Sequence, residues 1–160
     1  MSAWTRRRTL AAAGAMAVSA AACGVRIGRF ELRYGTIDES LDSGFVFSIT
    51  LVARNRTEWI SLWQTHEGGH LPSRPLPHVD FGRDIVVGVF LGQRPDRCHQ
   101  VRIERVLLID DSGIIVRYRE VVSRWGTACA PALSHPAAIV RIPFTGLPVR
   151  FEQLSTRYFD

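Results

Sequence analysis

Residues 66 to 70 read His-Glu-Gly-Gly-His and match the H-E-x-x-H pattern of zinc hydrolases. In that chemistry two histidines one helical turn apart hold the metal, and the glutamate activates a bound water. The geometry requires an unbroken helix, yet two adjacent glycines cost about 2 kcal/mol of helix propensity and Pro72 follows them. Position 76 is Leu where a metzincin pattern requires His. A zinc site on His66, Glu67 and His70 is therefore kept as an alternative, and we expect no metal and no cofactor.

Cys23 is a candidate for lipid attachment. It follows three alanines, precedes Gly24 and resembles the cysteine that ends a bacterial lipoprotein signal. Residues 6 to 8 are arginines and residues 10 to 22 form an uncharged, alanine-rich stretch, which together are typical of a secretory signal peptide. That stretch is shorter than the roughly 20 residues that span a bilayer. We therefore interpret residues 1 to 22 as a cleaved signal peptide, with ordinary cleavage before an unmodified Cys23 as the alternative.

Export has consequences for location and partners. The arginine run fits both the twin-arginine and the general secretory route. We expect a bacterial protein of the periplasm or the cell envelope, anchored to a membrane by lipid on Cys23. The chain has 20 basic residues, three of them in the signal peptide, which leaves 17 against 15 acidic residues. This balance argues against a nucleic-acid partner, because such binding depends on clustered basic charge.

The elements that follow predict one α+β domain over residues 46 to 154. We expect a predominantly antiparallel β-sheet of short strands, with one helix packed on it near the start of the domain. Residues 23 to 45 are predicted to be a tether that could contain one strand, and residues 155 to 160 a C-terminal tail. Alternation of apolar residues or continuous apolar runs predict the domain strands. These cover residues 46–53, 85–91, 101–109, 114–122, 138–142 and 149–154.

The helix has well-defined signals at both ends. Asn55 is a predicted N-cap, and Glu58 can reach back to complete a capping box. Gly68 and Gly69 are predicted to end the helix. Apolar residues at spacings of three and four predict one buried face, which comprises Trp59, Leu62, Trp63 and His66.

Cys98 and Cys129 are predicted to form a disulfide. Residues 110 to 113, Asp-Asp-Ser-Gly, predict a hairpin turn in which Ile109 lies opposite Ile114. In that register Cys98 faces position 125, only four residues before Cys129. A short excursion of the loop brings the two α-carbons to about 5.5 Å, as a disulfide requires, and an exported protein meets oxidising conditions. Two unlinked thiols are the alternative.

Partner recognition is expected in two irregular segments, residues 92 to 98 and 124 to 136. Loops held by a rigid sheet commonly carry recognition. No serine or cysteine lies in a nucleophile-elbow context, so no catalytic residue is predicted. The candidate binding residues are Gly92, Arg94, Pro95, Arg97 and Trp125.

Residues 48 to 151 resemble the PrcB-type protease-complex-associated domain. The resemblance rests on the helix with Trp63 and His66, on Val-Asp-Phe at 79–81, on Ile-Val-Val-Gly-Val-Phe-Leu-Gly at 85–92, and on Arg94-Pro95. Members of that family usually have a Gly-Gly-Tyr-like turn after this step, whereas this chain has Asp-Arg-Cys at 96–98.

The resemblance implies a non-enzymatic envelope lipoprotein that binds or stabilises another envelope protein. The founding member of the family keeps a surface subtilisin-like protease complex assembled, so a secreted or surface protease is the expected partner. Two alternatives come from other classes: a zinc-dependent hydrolase that uses residues 66 to 70, and an envelope module that binds a small ligand.

Overall fold

The computed structural model of the chain describes residues 28–68, 71–110, 112–123 and 129–159. The predicted signal peptide and Cys23 lie outside these residues. Within them the chain forms one helix, α1 (Arg56–Glu67), and nine strands. The strands are β1 (Arg29–Glu31), β2 (Gly35–Ser40), β3 (Ile49–Ala53), β4 (Asp84–Phe90), β5 (His99–Ile109), β6 (Gly113–Ser123), β7 (Ala137–Pro143), β8 (Val149–Gln153) and β9 (Arg157–Phe159).

The strands build two sheets. Sheet A has the order β1-β5-β6-β8, and β9 pairs with β6 beyond the end of β8. Sheet B has the order β2-β7-β4-β3. All pairings in sheet B are antiparallel, and so are the β1–β5 and β5–β6 pairings in sheet A. Strands β8 and β9 run parallel to β6. The structure thus confirms a mostly antiparallel β-protein with a single helix.

The sheets face each other across a hydrophobic core. Successive side chains of a strand point to opposite faces, so Val87 of β4 and Val140 of β7 meet Val116 of β6 in the first core cluster. The other face of sheet B supplies Val86, Phe90 and Ile139 to a second cluster under α1. The layers are therefore sheet A, sheet B and helix. No described helix covers the outer face of sheet A.

Helix α1 begins and ends as predicted. Asn55 is the N-cap, and its side chain accepts a hydrogen bond from the backbone N–H of Glu58 at 2.9 Å. The Glu58 carboxylate accepts from the N–H of Arg54 at 2.7 Å, one residue earlier than a standard capping box. The helix ends at Glu67, with Gly68 as its C-cap. The predicted inward face is confirmed, since all four of its residues are buried.

The segment predicted as a tether contributes two strands. Strand β1 pairs with β5, and its apolar residue Phe30 lies between two charged residues. Strand β2 pairs with β7 although its sequence, Gly-Thr-Ile-Asp-Glu-Ser, is typical of a turn. The polar side chain of Asp38 is used inside the fold, which explains how a polar segment joins a sheet. Strand β9 likewise falls in the predicted C-terminal tail.

The β5–β6 hairpin is longer than predicted and has a different register. Both strands have 11 residues, which corrects the expectation of short strands for this pair. Ile109 pairs with Gly113 rather than Ile114, and a bulge between Ile103 and Arg105 shifts the ladder by one more residue. As a result, the backbone carbonyl of Cys98 accepts from the N–H of Ser123 at 3.1 Å, and Cys98 does not face position 125.

Candidate functional site

The predicted disulfide between Cys98 and Cys129 is present, with its α-carbons 4.6 Å apart. It joins the two loops in which partner binding was expected. Backbone hydrogen bonds also join the two segments. The N–H groups of Arg94 and Ser134 each donate to the carbonyl of the other residue, and the N–H of Arg97 donates to the carbonyl of Ala130. Residues 92–98 and 129–136 therefore form one covalently closed surface at the end of the sandwich.

Gly92, a predicted binding residue, is buried and has a structural role. Its φ of 72° lies in the left-handed region that favours glycine. A β-carbon here would lie 2.7 Å from the backbone of both Phe47 and Ser48. Position 92 thus allows the segment before β3 to pass close to the end of β4, and it offers no side chain to a partner.

Arg94 is held by the fold. Its Nε and Nη2 donate to the carboxylate of Glu120 at 2.6 and 3.2 Å, and its Nη1 donates to the carbonyl of Leu91 at 2.8 Å. His99 bonds to the same carboxylate at 2.6 Å. Burial alone would raise the pKa of Glu120, but the bonds to Arg94 and His99 outweigh it and lower that pKa. Arg94 therefore fixes the loop to β6.

Arg97 is engaged as well, whereas Pro95 is exposed. The guanidinium of Arg97 makes a two-pronged contact with Asp42, at 2.6 and 2.9 Å, and this hydrogen bonding raises the pKa of Arg97. Trp125 lies outside the described residues. Of the predicted binding residues in the first loop, only Pro95 presents an uncommitted side chain to solvent, and the role of this surface in recognition stays a prediction.

A polar cluster, buried except for part of one arginine, joins α1 to β2 and to the segment before β4. We define the polar cluster as Asp38, Ser43, His66, Glu67 and Arg74. His66 bonds through Nδ1 to the Ser43 hydroxyl at 2.9 Å and through Nε2 to Asp38 at 2.8 Å. Arg74 donates to Asp38 at 2.6 and 3.0 Å and to Oε1 of Glu67 at 2.6 and 2.9 Å. The cluster holds α1 against β2, which is an edge strand of sheet B.

The electrostatics of the polar cluster favour its charged form. Burial on its own would raise the pKa of Asp38, but hydrogen bonds from His66 and Arg74, with the charge of Arg74, hold that pKa well below its ordinary value. Hydrogen bonds to Asp38 and Glu67 raise the pKa of Arg74. The guanidinium also lies over the ring of Trp63, 5.2 Å from its centroid, which adds a cation–π contact.

Ser43, His66 and Asp38 have the residue types and bonding order of a hydrolase triad. A triad needs its nucleophile open to substrate, but Ser43 is 2% exposed and His66 is fully buried. Three further bonds hold these side chains in place, since the Ser43 oxygen accepts the N–H of Phe45 and Arg74 donates to both oxygens of Asp38. This arrangement therefore holds the fold together and gives no substrate access.

His66 is fully buried on the helix face, and both of its ring nitrogens are bonded inside the core. His70, the second histidine of the H-E-x-x-H segment, lies outside the described residues. Among the residues that are described, no group of three or more His, Cys, Asp or Glu could hold a metal ion.

An apolar surface that the sequence did not predict lies at the start of β3. Val46, Phe47 and Ile49 are exposed, Phe47 by 80%. The alternation of Phe45, Phe47, Ile49 and Leu51 predicts a strand from residue 46. The strand begins only at Ile49, so Phe47 precedes the sheet and projects into solvent.

Strand β3 is also an edge strand, and its outer side borders a groove. In the described part of the chain β3 pairs with β4 alone. The groove runs between β3 and α1, with an apolar floor of Phe45, Ile49, Leu51 and Leu62 and a polar rim on the helix that includes Thr57 and Thr65. We call Val46, Phe47, the β3 edge and this groove the β3 surface.

Comparisons with known proteins gave no relative: a scan of protein-family models, a search of curated proteins and a search of solved structures each found no match to this chain. The relation to the PrcB-type domain therefore stays a prediction. The helix in the described residues is also too short and too polar to cross a membrane.

Proposed function

We propose that this chain is an exported, lipid-anchored and non-enzymatic accessory protein of the bacterial envelope that binds another envelope protein through the β3 surface. By the resemblance to the PrcB-type domain, the partner is a secreted or surface protease of the subtilisin-like class. One observation carries the binding proposal: β3 is an edge strand without the usual protection against pairing.

Edge strands normally carry charges, prolines or bulges that prevent pairing with other chains. The other described edges follow this rule. Strand β2 has a bulge between Thr36 and Asp38, while β1 and β8 place Arg29 and Arg150 at their edges. Strand β3 reads Ile-Thr-Leu-Val-Ala and pairs with β4 in unbroken register. Its free backbone groups are thus open to an added strand.

The proposed binding mode is β-strand addition. An extended segment of the partner bonds to the outward N–H and C=O groups of β3, and its alternate side chains enter the groove beside α1. Phe47 and Val46 extend the contact beyond the strand. A large aromatic residue that becomes desolvated at an interface is a typical source of binding energy, and Phe47 is the most exposed aromatic side chain described.

Two features support a binding role without chemistry of its own. The bonding chain of Ser43, His66 and Asp38 lies inside the core. The disulfide with Arg94 and Arg97 makes residues 92–98 rigid, and these residues adjoin the β3 surface, since the N–H of Gln93 donates to the carbonyl of Val46 at 3.0 Å. A rigid domain with one unprotected edge loses little conformational entropy when it binds, which favours affinity.

The substitution Ile49→Lys tests this proposal because it places a charge on the β3 edge. Ile49 is exposed, so we expect the variant to keep its stability within about 0.5 kcal/mol. In detergent extracts of the native envelope, wild-type chain should co-migrate with a larger complex that has protease activity, and the variant should migrate alone.

Tyr158→Lys is the matched control, since Tyr158 is an exposed aromatic residue on β9. This variant should stay in the complex. Co-migration of the Ile49 variant with the protease, or migration of the wild type as a free monomer, would contradict the proposal.

A further inference from the structure

The outer face of sheet A carries an excess of arginine that the overall charge of the chain conceals. Val101, Ile103 and Val106 of β5 and Val116 of β6 point into the core, so their neighbours point outward. The outward set contains seven arginines, from Arg29 on β1 to Arg157 on β9, and three glutamates, which are Glu31, Glu104 and Glu152. We call this surface the arginine face; its net charge of +4 exceeds the +2 of the whole chain after removal of the signal peptide.

Two pairs of arginines lie directly opposite each other on neighbouring strands. Arg102 pairs with Arg119, and Arg105 pairs with Arg117. Like charges opposite each other destabilise a sheet, so folding does not account for this arrangement. Arg119 and Arg117 are relieved by Glu104 and Glu152, at 2.8 and 2.9 Å.

Arg102 and Arg105 are exposed and have no acidic partner within 4.0 Å in the described residues. The same holds for Arg29, Arg150 and Arg157. Five cations thus remain uncompensated on one face, and an external anionic surface would neutralise them. A sheet face with charges spread over all its strands suits a planar surface better than it suits a narrow polymer.

The position of the chain end indicates which planar surface this is. Gly28 precedes β1 at the edge of sheet A, where its N–H donates to the side chain of Asp110 at 3.0 Å. Only residues 24 to 27 separate it from Cys23, so the two α-carbons are at most about 18 Å apart. A lipid on Cys23 would therefore hold this edge of sheet A next to the bilayer.

Apolar side chains lie at the same end of the arginine face. Ile109 pairs with Arg29, and Ile115 lies between Leu107 and Arg150. Apolar residues beside basic ones are typical of surfaces that settle into the headgroup region of a bilayer.

We propose that the arginine face binds the phosphate headgroups of an anionic phospholipid membrane and orients the domain so that the β3 surface is directed away from the bilayer. The orientation by the anchor rests on the proposed function, whereas headgroup binding does not require it. Arg102 and Arg105 are central to the contact, because they are exposed and uncompensated.

The test uses the unlipidated mature chain, residues 24 to 160, which contains every element of the fold. The fraction of protein that sediments with vesicles of phosphatidylglycerol and phosphatidylcholine is compared with the fraction that sediments with vesicles of phosphatidylcholine alone. Both are measured at low and at high salt. We expect binding only to the anionic vesicles, with loss at high salt as the charges are screened. The double substitution Arg102→Gln and Arg105→Gln should weaken binding about 25-fold, from a factor of about five per arginine.

The matched control is Arg56→Gln with Arg83→Gln, which removes the same charge from exposed positions that lie off the arginine face. This control should bind within about two-fold of wild type. The Arg102 and Arg105 variant should melt at the same or a higher temperature, because the substitutions relieve repulsion, and its loss of binding is then not a folding defect.

Three outcomes would overturn the proposal: equal binding to neutral vesicles, equal loss in both double variants, or binding to heparin as tight as to the anionic vesicles. The last would assign the arginine face to a soluble polyanion. An unlipidated Cys23 in native protein would remove the anchor but leave the vesicle result unchanged, so failure of the proposed function and failure of this inference are distinguishable.

Discussion

The substitution Trp59→Ala is expected to lower the free energy of unfolding by about 3 to 5 kcal/mol, the usual range for truncation of a large buried side chain. Trp59 is 1% exposed and packs against Trp63, with ring centroids 5.3 Å apart. Its indole N–H also donates to the carbonyl of Pro77 at 3.0 Å. The substitution therefore leaves a cavity under α1 and an unpaired carbonyl.

Urea denaturation, monitored by circular dichroism, measures this decrease in the free energy of unfolding. The control is Leu71→Ala, because Leu71 is 99% exposed and its truncation should change stability by less than about 0.5 kcal/mol. A decrease in the free energy of unfolding of less than about 1 kcal/mol for Trp59→Ala would show that Trp59 is not packed between α1 and sheet B.

The substitution Arg74→Ala is expected to cost about 3 kcal/mol at neutral pH. Removal of one partner from a buried charged cluster typically costs 3 to 5 kcal/mol, and the lower end applies because the Arg74 side chain is 39% exposed. Asp38 and Glu67, 11% and 4% exposed, would lose their countercharge. Arg74→Lys should be intermediate, since an ammonium group keeps the charge but cannot bridge both carboxylates in the same geometry.

The cost of Arg74→Ala should depend on pH. The folded-state pKa of Asp38 lies below its unfolded value near 4, so the stability from its ionised form is present above about pH 4 and is lost as the pH falls further. The difference between wild type and variant should narrow in acid. Unfolding curves at neutral and acidic pH check this, and a difference independent of pH would show that Asp38 does not couple to Arg74.

Local patterns predicted much of the fold. Asn55 as N-cap, the buried helix face and the six domain strands could be identified because each depends on residues close in sequence. Strand β2 could not be identified from the sequence, because distant partners stabilise its polar residues. Asp38 bonds to His66 and Arg74, which lie 28 and 36 residues away. The hairpin register was not predicted, since neither the turn that pairs Ile109 with Gly113 nor the bulge in β5 has a clear sequence signature.

At the candidate site, too, some features could be predicted from the sequence and others could not. The disulfide was predicted from topology and compartment, and it formed although the register differs from the one used to predict it. The position of Arg94 and Arg97 in a loop predicts that they contact a partner. Their acceptors, Glu120 and Asp42, come from other parts of the chain, so the sequence could not show that these arginines fasten the loop to the fold.

The β3 surface could not be predicted because its apolar pattern is the same as that of a core strand. The alternation of Phe45, Phe47 and Ile49 reads as a core strand, and a pattern of apolar residues cannot distinguish burial in the chain's own core from exposure for a partner. The edge position of β3 decides between the two, and strand order follows only from the assembled sheets.

Site-specific photo-crosslinking at Phe47 tests whether the β3 surface binds an envelope protease. A photoreactive phenylalanine analogue at this exposed position, in cells that retain the native envelope, should give one crosslinked product whose second component is identified by mass spectrometry as an exported protease. The same analogue at Phe144, also exposed, should give no such product. A product made of two copies of this chain, or equal products from both positions, would contradict protease binding through the β3 surface.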